Sequence, residues 1–211
     1  DQEGLSAIIE NIGGLSTFPN MISAYDLRAT IDIAGHEWLH SHLFFQPLGR
    51  NIHKDSNMNV INETTANIFG KELSNLIYAQ LTGQNFQKSI VGQKEANECP
   101  KELFCFNKEM RKTRLMADEL LGKGQIEEAE AYLEKQRQRF VDNGYVIRKL
   151  NQAFFAFHGT YSDSPASTSP INNQLIQLRE SSSSLSNFIR TVEEISTHEQ
   201  FLRLLEENGI P

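Results

Sequence analysis

Apolar side chains along most of this chain recur at helical spacing. Leu27, Ile31, Ala34 and Trp38 follow steps of three and four, with Leu39 beside them, and the pattern runs to about Phe45 before Pro47 and Gly49 break it. Ser23 and Asp26 stand at its head in a capping-box arrangement, which predicts a helix starting at Ser23. A polar loop over about 46–58 leads to a second helix over about 59–81, with Ile61, Ala66, Ile68, Phe69, Leu73, Leu76, Ile77 and Leu81 as its apolar positions. Residues 107–142 predict a helical hairpin turned at Gly122-Lys123-Gly124, with one apolar stripe and a solvated face of mixed charge. After an Asn143-Gly144 turn, residues 143–161 predict a third core helix through Ile147, Leu150, Ala153, Phe154 and Phe157. A Ser/Pro linker from Ser162 to Pro170 precedes helices over about 171–180, 184–195 and 197–207, within a C-terminal region 170–208. Ser181–Ser184 reads as a joint or cap.

The remaining segments carry little pattern. Residues 1–22, with Gly13-Gly14 and Phe18-Pro19, read as a loop-rich entry, and 82–104 as a long loop. There are no repeats and there is little β signal. The expected fold is therefore mainly α, a single domain over 1–211 with the hairpin as an appendage.

Composition narrows the function more than the fold. Hydrophobic residues make up 39% of the 211 and the mean hydropathy is −0.43, so a core is affordable and much of the surface is polar. A net charge of −7 argues against nucleic acid, because no basic stripe is present to neutralise phosphates. It equally disfavours a polybasic membrane-surface site. No apolar run reaches the roughly 18 residues of a spanning helix. The numbering opens at Asp1, so an upstream leader or anchor is compatible with the sequence. The compartment stays open: a soluble domain, with the extracytoplasmic part of an anchored or exported bacterial protein as one placement. Oligomeric state is equally open. Cys99 and Cys105, with five residues between them, fit a local disulfide and two free thiols about equally.

The chemistry concentrates in His36-Glu37-Trp38-Leu39-His40. On a helix, residues four apart lie nearly one above the other, so both imidazoles face one point. That geometry suits one tetrahedral Zn²⁺ per chain, with Glu37 beside it to take a proton from water. Glu63, 23 residues after His40, opens the second helix, which can return beside the first and offer a carboxylate as third ligand. Asn67, one turn beyond Glu63, could orient a ligand histidine through its outer ring nitrogen.

Competing ligands fare worse. Leu43 and Gln46 occupy the positions where a metzincin needs glycine and histidine. Asp163, in Gly159-Thr160-Tyr161-Ser162-Asp163, matches an aspzincin pattern but lies too far downstream. His42 points about 200° away from His40 on an ideal helix. His53 and His198 read as surface residues, Asp32 as a solvated aspartate ahead of a supporting place behind the ligand histidines, and Asn151 and Arg148 as helix-surface residues ahead of a grip on a substrate terminus. The sequon at Asn62 would put a glycan over the metal and is discounted.

The order HExxH followed by Asn62-Glu63-Thr64-Thr65-Ala66-Asn67 resembles the gluzincin, or thermolysin-like, zinc metallopeptidases. That resemblance implies a zincin-like helical core with His36, His40 and Glu63 as ligands and Glu37 as general base. Asn67 falls where those enzymes carry an aspartate, so the imidazole it bonds would be less polarised. The hairpin and the run from Leu150-Asn151 to Tyr161 further resemble an uncharacterised bacterial family classed with the aminopeptidases, although no Gly-x-Met-x-Asn exopeptidase motif is present. In gluzincins a tyrosine or histidine from a later helix steadies the oxyanion, which makes Tyr161 and His158 the candidates. The resemblance covers roughly residues 24–195 and implies hydrolysis of a peptide or protein substrate. Two rivals stand beside it: a zinc-binding pseudo-peptidase that has lost turnover, and a helical interaction module working through 107–142.

Overall fold

Helix α1 (Leu27–Leu43) begins where Asp26 leaves extended backbone and its carboxylate accepts a hydrogen bond from the Ala29 N–H at 2.7 Å. This computed structural model describes residues 26–83, 104–159, 162 and 164–211; the expected start at Ser23 lies outside them. The described residues are mainly helical and contain no strand, in agreement with the expected class. None of their helices is long and apolar enough to cross a membrane. They fall into two compact units: the described residues of Asn11–Gln93 with Pro170–Pro211, and those of Lys94–Ser169.

The first unit is built on α1 and α3 (Ser56–Thr82), joined through the short helix α2 (Pro47–Arg50). The segment read as a polar loop over 46–58 therefore carries structure. Pro47 supplies a preset φ at the start of α2, and the Asp55 carboxylate caps α3 by accepting from the Asn57 and Met58 N–H groups. Gly83, at φ 67°, ends α3 in the left-handed conformation that glycine takes at no steric cost.

Helices α1 and α3 run antiparallel. Arg28 bonds Asn75, Gly35 lies against Gly70 and Leu73, and His40 lies against Glu63. A Cβ on Gly70 would sit 2.6 Å from the Asp32 carbonyl oxygen and 3.1 Å from the His36 nitrogen, so only glycine permits this backbone approach. Helices α7 (Ile171–Ser181), α8 (Leu185–Val192) and α9 (His198–Glu207) complete the unit. Leu39, Leu43, Ile61, Leu175, Phe188 and Phe201 are among the side chains of their shared core. Each fully buried side chain of this size contributes about 1.5–3 kcal/mol. Ser184 caps α8, accepting from the Asn187 N–H. A bidentate pair of Arg179 with Glu72, at 2.8 and 2.6 Å, ties α7 to α3. Glu193 makes a second tie: its carbonyl accepts from the Leu48 N–H at 3.0 Å and its carboxylate pairs with His42 at 2.6 Å.

The second unit holds the expected hairpin, α4 (Phe106–Gly122) and α5 (Ile126–Asp142), with Gly124 at φ 73° in the turn. Met110, Leu133, Phe140 and Phe155 pack its core. The third core helix expected over 143–161 is much shorter: α6 spans only Gln152–His158. Asn151 explains the difference. Its backbone is extended and its side chain accepts from the Phe154 N–H, so it starts a helix instead of continuing one. Ile147 and Leu150 are still buried, but from irregular backbone. Cys105 is disulfide-bonded; Cys99, the chain's other cysteine, lies outside the described residues.

Candidate metal centre

The antiparallel contact of α1 and α3 sets the site. His36 and His40 project from one face of α1, and Glu63 meets them from α3. Their nearest donor atoms form a triangle: His36 Nε2 to His40 Nε2 2.9 Å, His36 Nε2 to Glu63 Oε2 3.5 Å, and His40 Nε2 to Glu63 Oε2 3.4 Å. A tetrahedral ion with bonds of about 2.0–2.1 Å sets its ligand atoms about 3.3 Å apart. The two edges to Glu63 match that spacing, and the edge between the histidines needs only a few tenths of an ångström of opening. These three residues could hold a metal ion, and no other such group occurs among the described residues.

Burial makes the arrangement costly without a cation. The side chains of Glu63 and His40 are 1% and 4% exposed. Neither Glu63 oxygen has a hydrogen-bond partner, and 3.4–3.5 Å is an electrostatic approach too long for a good hydrogen bond. A buried carboxylate without hydrogen bonds costs several kcal/mol unless positive charge lies near it; the two imidazoles supply part of that compensation, and a cation held by all three would complete it. Burial pushes the Glu63 carboxyl up; the His36 and His40 rings together outweigh that and hold it at about 2. Burial pushes the His40 ring down, and Glu63, with smaller help from Glu37 and Asn62, raises it above its ordinary value. The pocket is thus already poised for positive charge.

Glu37 is exposed beside His36, and its carboxylate lies within electrostatic reach of His40. Trp38 turns the other way and stacks between His42 and Phe69, at ring separations of 5.7 and 5.6 Å. His42 is directed to Glu193, as its helix angle requires. Asp32 is half-buried against Gly70 and not the solvated residue expected.

Asn62 acquires a role that the sequence reading did not give it. It is 1% exposed and helps raise the His40 ring above its ordinary value, and the His40 Nδ1 and Asn62 Oδ1 atoms are both buried without a hydrogen-bond partner. It is therefore placed to orient the ring that offers Nε2 to the ion. Its place directly before Glu63 was the only available signal. Asn67 is half-buried one turn beyond Glu63 and engaged with a neighbour.

His158 ends α6 in the hairpin unit, exposed and 4.2 Å from the Phe154 ring. Tyr161 and Asp163 fall outside the described residues. His53 is exposed, and His198 opens α9 beside Asn57. Asn151 caps α6, and Arg148 is exposed. Compared with known proteins, the chain matches no family model, no curated protein and no solved structure.

Proposed function

We propose that this chain is a zinc-dependent peptidase of gluzincin type, and the observation that carries the reading is the buried Glu63 carboxylate, without a hydrogen bond, facing the two imidazoles of an HExxH helix. Two neutral nitrogen donors and one carboxylate form a donor set that zinc favours, with a fourth position left open. Zinc held there would supply a lowered water pKa and polarisation of the scissile carbonyl. Glu37, exposed on the solvent side of His36, takes one proton from the attacking water and hands it to the leaving nitrogen. Water oxygen joins the carbonyl carbon, the C–N bond breaks, and an acid and an amine leave. Asn62, buried next to Glu63 and close enough to act on the His40 ring, would help keep that ring aimed. The oxyanion donor is assigned from sequence alone, to Tyr161 or His158. The disulfide at Cys105 favours an oxidising compartment for this activity.

Elemental analysis of wild type and Glu63→Ala, purified in parallel, tests the metal. About one zinc per wild-type chain and a sharp loss in the variant are expected; no zinc after reconstitution overturns the reading. A peptide-library screen of wild type against Glu37→Gln then tests turnover, with cleavage confined to wild type. One zinc with no cleavage favours the pseudo-peptidase, for which Asn67 in place of an aspartate is the supporting feature.

A further inference from the structure

Beyond the metal ligands, α1 is followed directly by Phe44 and Phe45, whose rings meet edge to face at 5.2 Å and stay 43% and 60% exposed. With Gly49, Arg50, Ile52 and His53 they line a cavity of about 440 Å³. That volume lies within the range of pockets that hold small ligands, about 300–1,000 Å³. Its wall is pre-formed. A Cβ on Gly49 would lie 2.0 Å from the Leu43 carbonyl oxygen, so α2 is folded back hard against the end of α1. The Leu48 N–H bond to the Glu193 carbonyl holds it there.

Apolar rings define the body of this cavity, and one cation, Arg50, stands in its lining. Arg50 is exposed, and its guanidinium makes no ion pair or side-chain hydrogen bond among the described residues. His53, also exposed, adds a ring N–H. A planar guanidinium beside an apolar cavity matches a carboxylate carried on a bulky hydrocarbon group. Position connects this cavity to the metal centre. Phe44 follows His40 by four residues, one helical turn or about 6 Å along the axis, on nearly the same face. A substrate residue next to a carbonyl at His36 and His40 would have to span that one turn to place its side chain there.

We propose that this cavity receives the C-terminal residue of a peptide substrate, its large apolar side chain against Phe44 and Phe45 and its α-carboxylate on Arg50. The peptide identity of the ligand rests on the peptidase reading; the binding of an apolar carboxylate does not.

The test has a binding arm and a cleavage arm. N-acetylphenylalanine, its amide and N-acetylglycine are titrated calorimetrically into wild type, Arg50→Gln, Phe45→Ala and Lys54→Gln, with and without chelator. N-acetylphenylalanine is expected to bind at least tenfold tighter than either comparison compound. That advantage over the amide should vanish in Arg50→Gln, overall affinity should fall in Phe45→Ala, and Lys54→Gln should match wild type. Equal binding of acid and amide overturns the site, as does loss of binding on chelation, since the carboxylate would then be on the metal. In the cleavage arm, peptides ending in free phenylalanine should be preferred over their amides by wild type but not by Arg50→Gln. An unchanged preference overturns the substrate assignment. If no peptide is cleaved at all, the binding arm alone decides the cavity, and the failure belongs to the peptidase reading.

Discussion

Replacing Gly70 with alanine sets two opposed effects against each other. Alanine is the better helix former by about 1 kcal/mol. The added Cβ, however, would lie 2.6 Å from the Asp32 carbonyl oxygen, 2.7 Å from its carboxylate and 3.1 Å from the His36 nitrogen. Comfortable carbon contacts run to about 3.5–4.0 Å, so α1 must retreat by something on the order of 0.5–1 Å. Overpacking of this kind costs about 1–3 kcal/mol, and backbone neighbours put Gly70 near the upper end. The net expectation is a loss of about 1–2 kcal/mol, or roughly 2–8 °C in Tm for a chain of this length. His36 moves with α1, so zinc affinity measured by chelator competition should fall at least tenfold. Gly35→Ala is the control, because its Cβ meets the flexible tip of Leu73 at 3.2 Å and the Gly70 Cα at 3.3 Å. It should stay within about 1 kcal/mol of wild type, the helix-propensity gain offsetting a small strain. Denaturant unfolding of the two variants decides the matter. A Gly70→Ala protein as stable as wild type, with unchanged zinc affinity, would refute the close-approach argument.

Further expectations concern the charges around the same helices. In metal-free protein the lowered Glu63 carboxyl contributes stability above about pH 4.5 that is lost as pH falls toward 2. The raised His40 contributes stability below its ordinary 6.5 that is lost as pH rises through its folded value. The contribution of the pair should therefore plateau between about pH 4.5 and 6.5, and a Glu63→Gln series in thermal melts should flatten it. Asn62→Ala should weaken zinc binding by about 10–100-fold while cleavage, once zinc is saturating, recovers in part. Arg179→Met strands the partly buried Glu72 carboxylate and should cost about 2–3 kcal/mol in urea unfolding, less than a fully buried pair because Glu72 keeps contact with water.

The sequence made the helices legible where their apolar spacing and their end signals agreed. The hairpin is the clearest case, with its Gly122-Lys123-Gly124 turn bounding two helices as expected. HExxH was legible because two ligands four apart on one helix need no tertiary information. What escaped depended on contacts between distant residues. Nothing local marks Gly35 and Gly70 as partners, since a glycine in a helical pattern ordinarily only weakens it. The burial of Asn62, Glu63, Thr64 and Thr65 on α3 runs against any hydrophobic pattern, because a polar centre there faces inward. Ile147 and Leu150 misled in the opposite direction: their spacing fits a helix, but local competition from the Asn151 side chain starts the helix later.

The meeting of Gly70 with Asp32 and His36 also limits how this sequence can drift. Glu63 and Gly70 are seven residues apart, two turns of one helix, so a single insertion between them would swing the carboxylate about 100° from the histidines. The stretch from 44 to 55 bears on the metal centre only through where it returns α3, although Leu48 and Gly49 within it are fixed by their own packing. Relatives that retain this centre should therefore be recognisable by a short string of fixed distances. These are a small residue before the first histidine of HExxH, then Asn-Glu after the connecting stretch, then glycine seven positions beyond that glutamate. The demand should be stricter at the position of Gly70, where a Cβ would meet backbone at 2.6 Å, than at that of Gly35, where it would meet the Leu73 side chain at 3.2 Å and the Gly70 Cα at 3.3 Å.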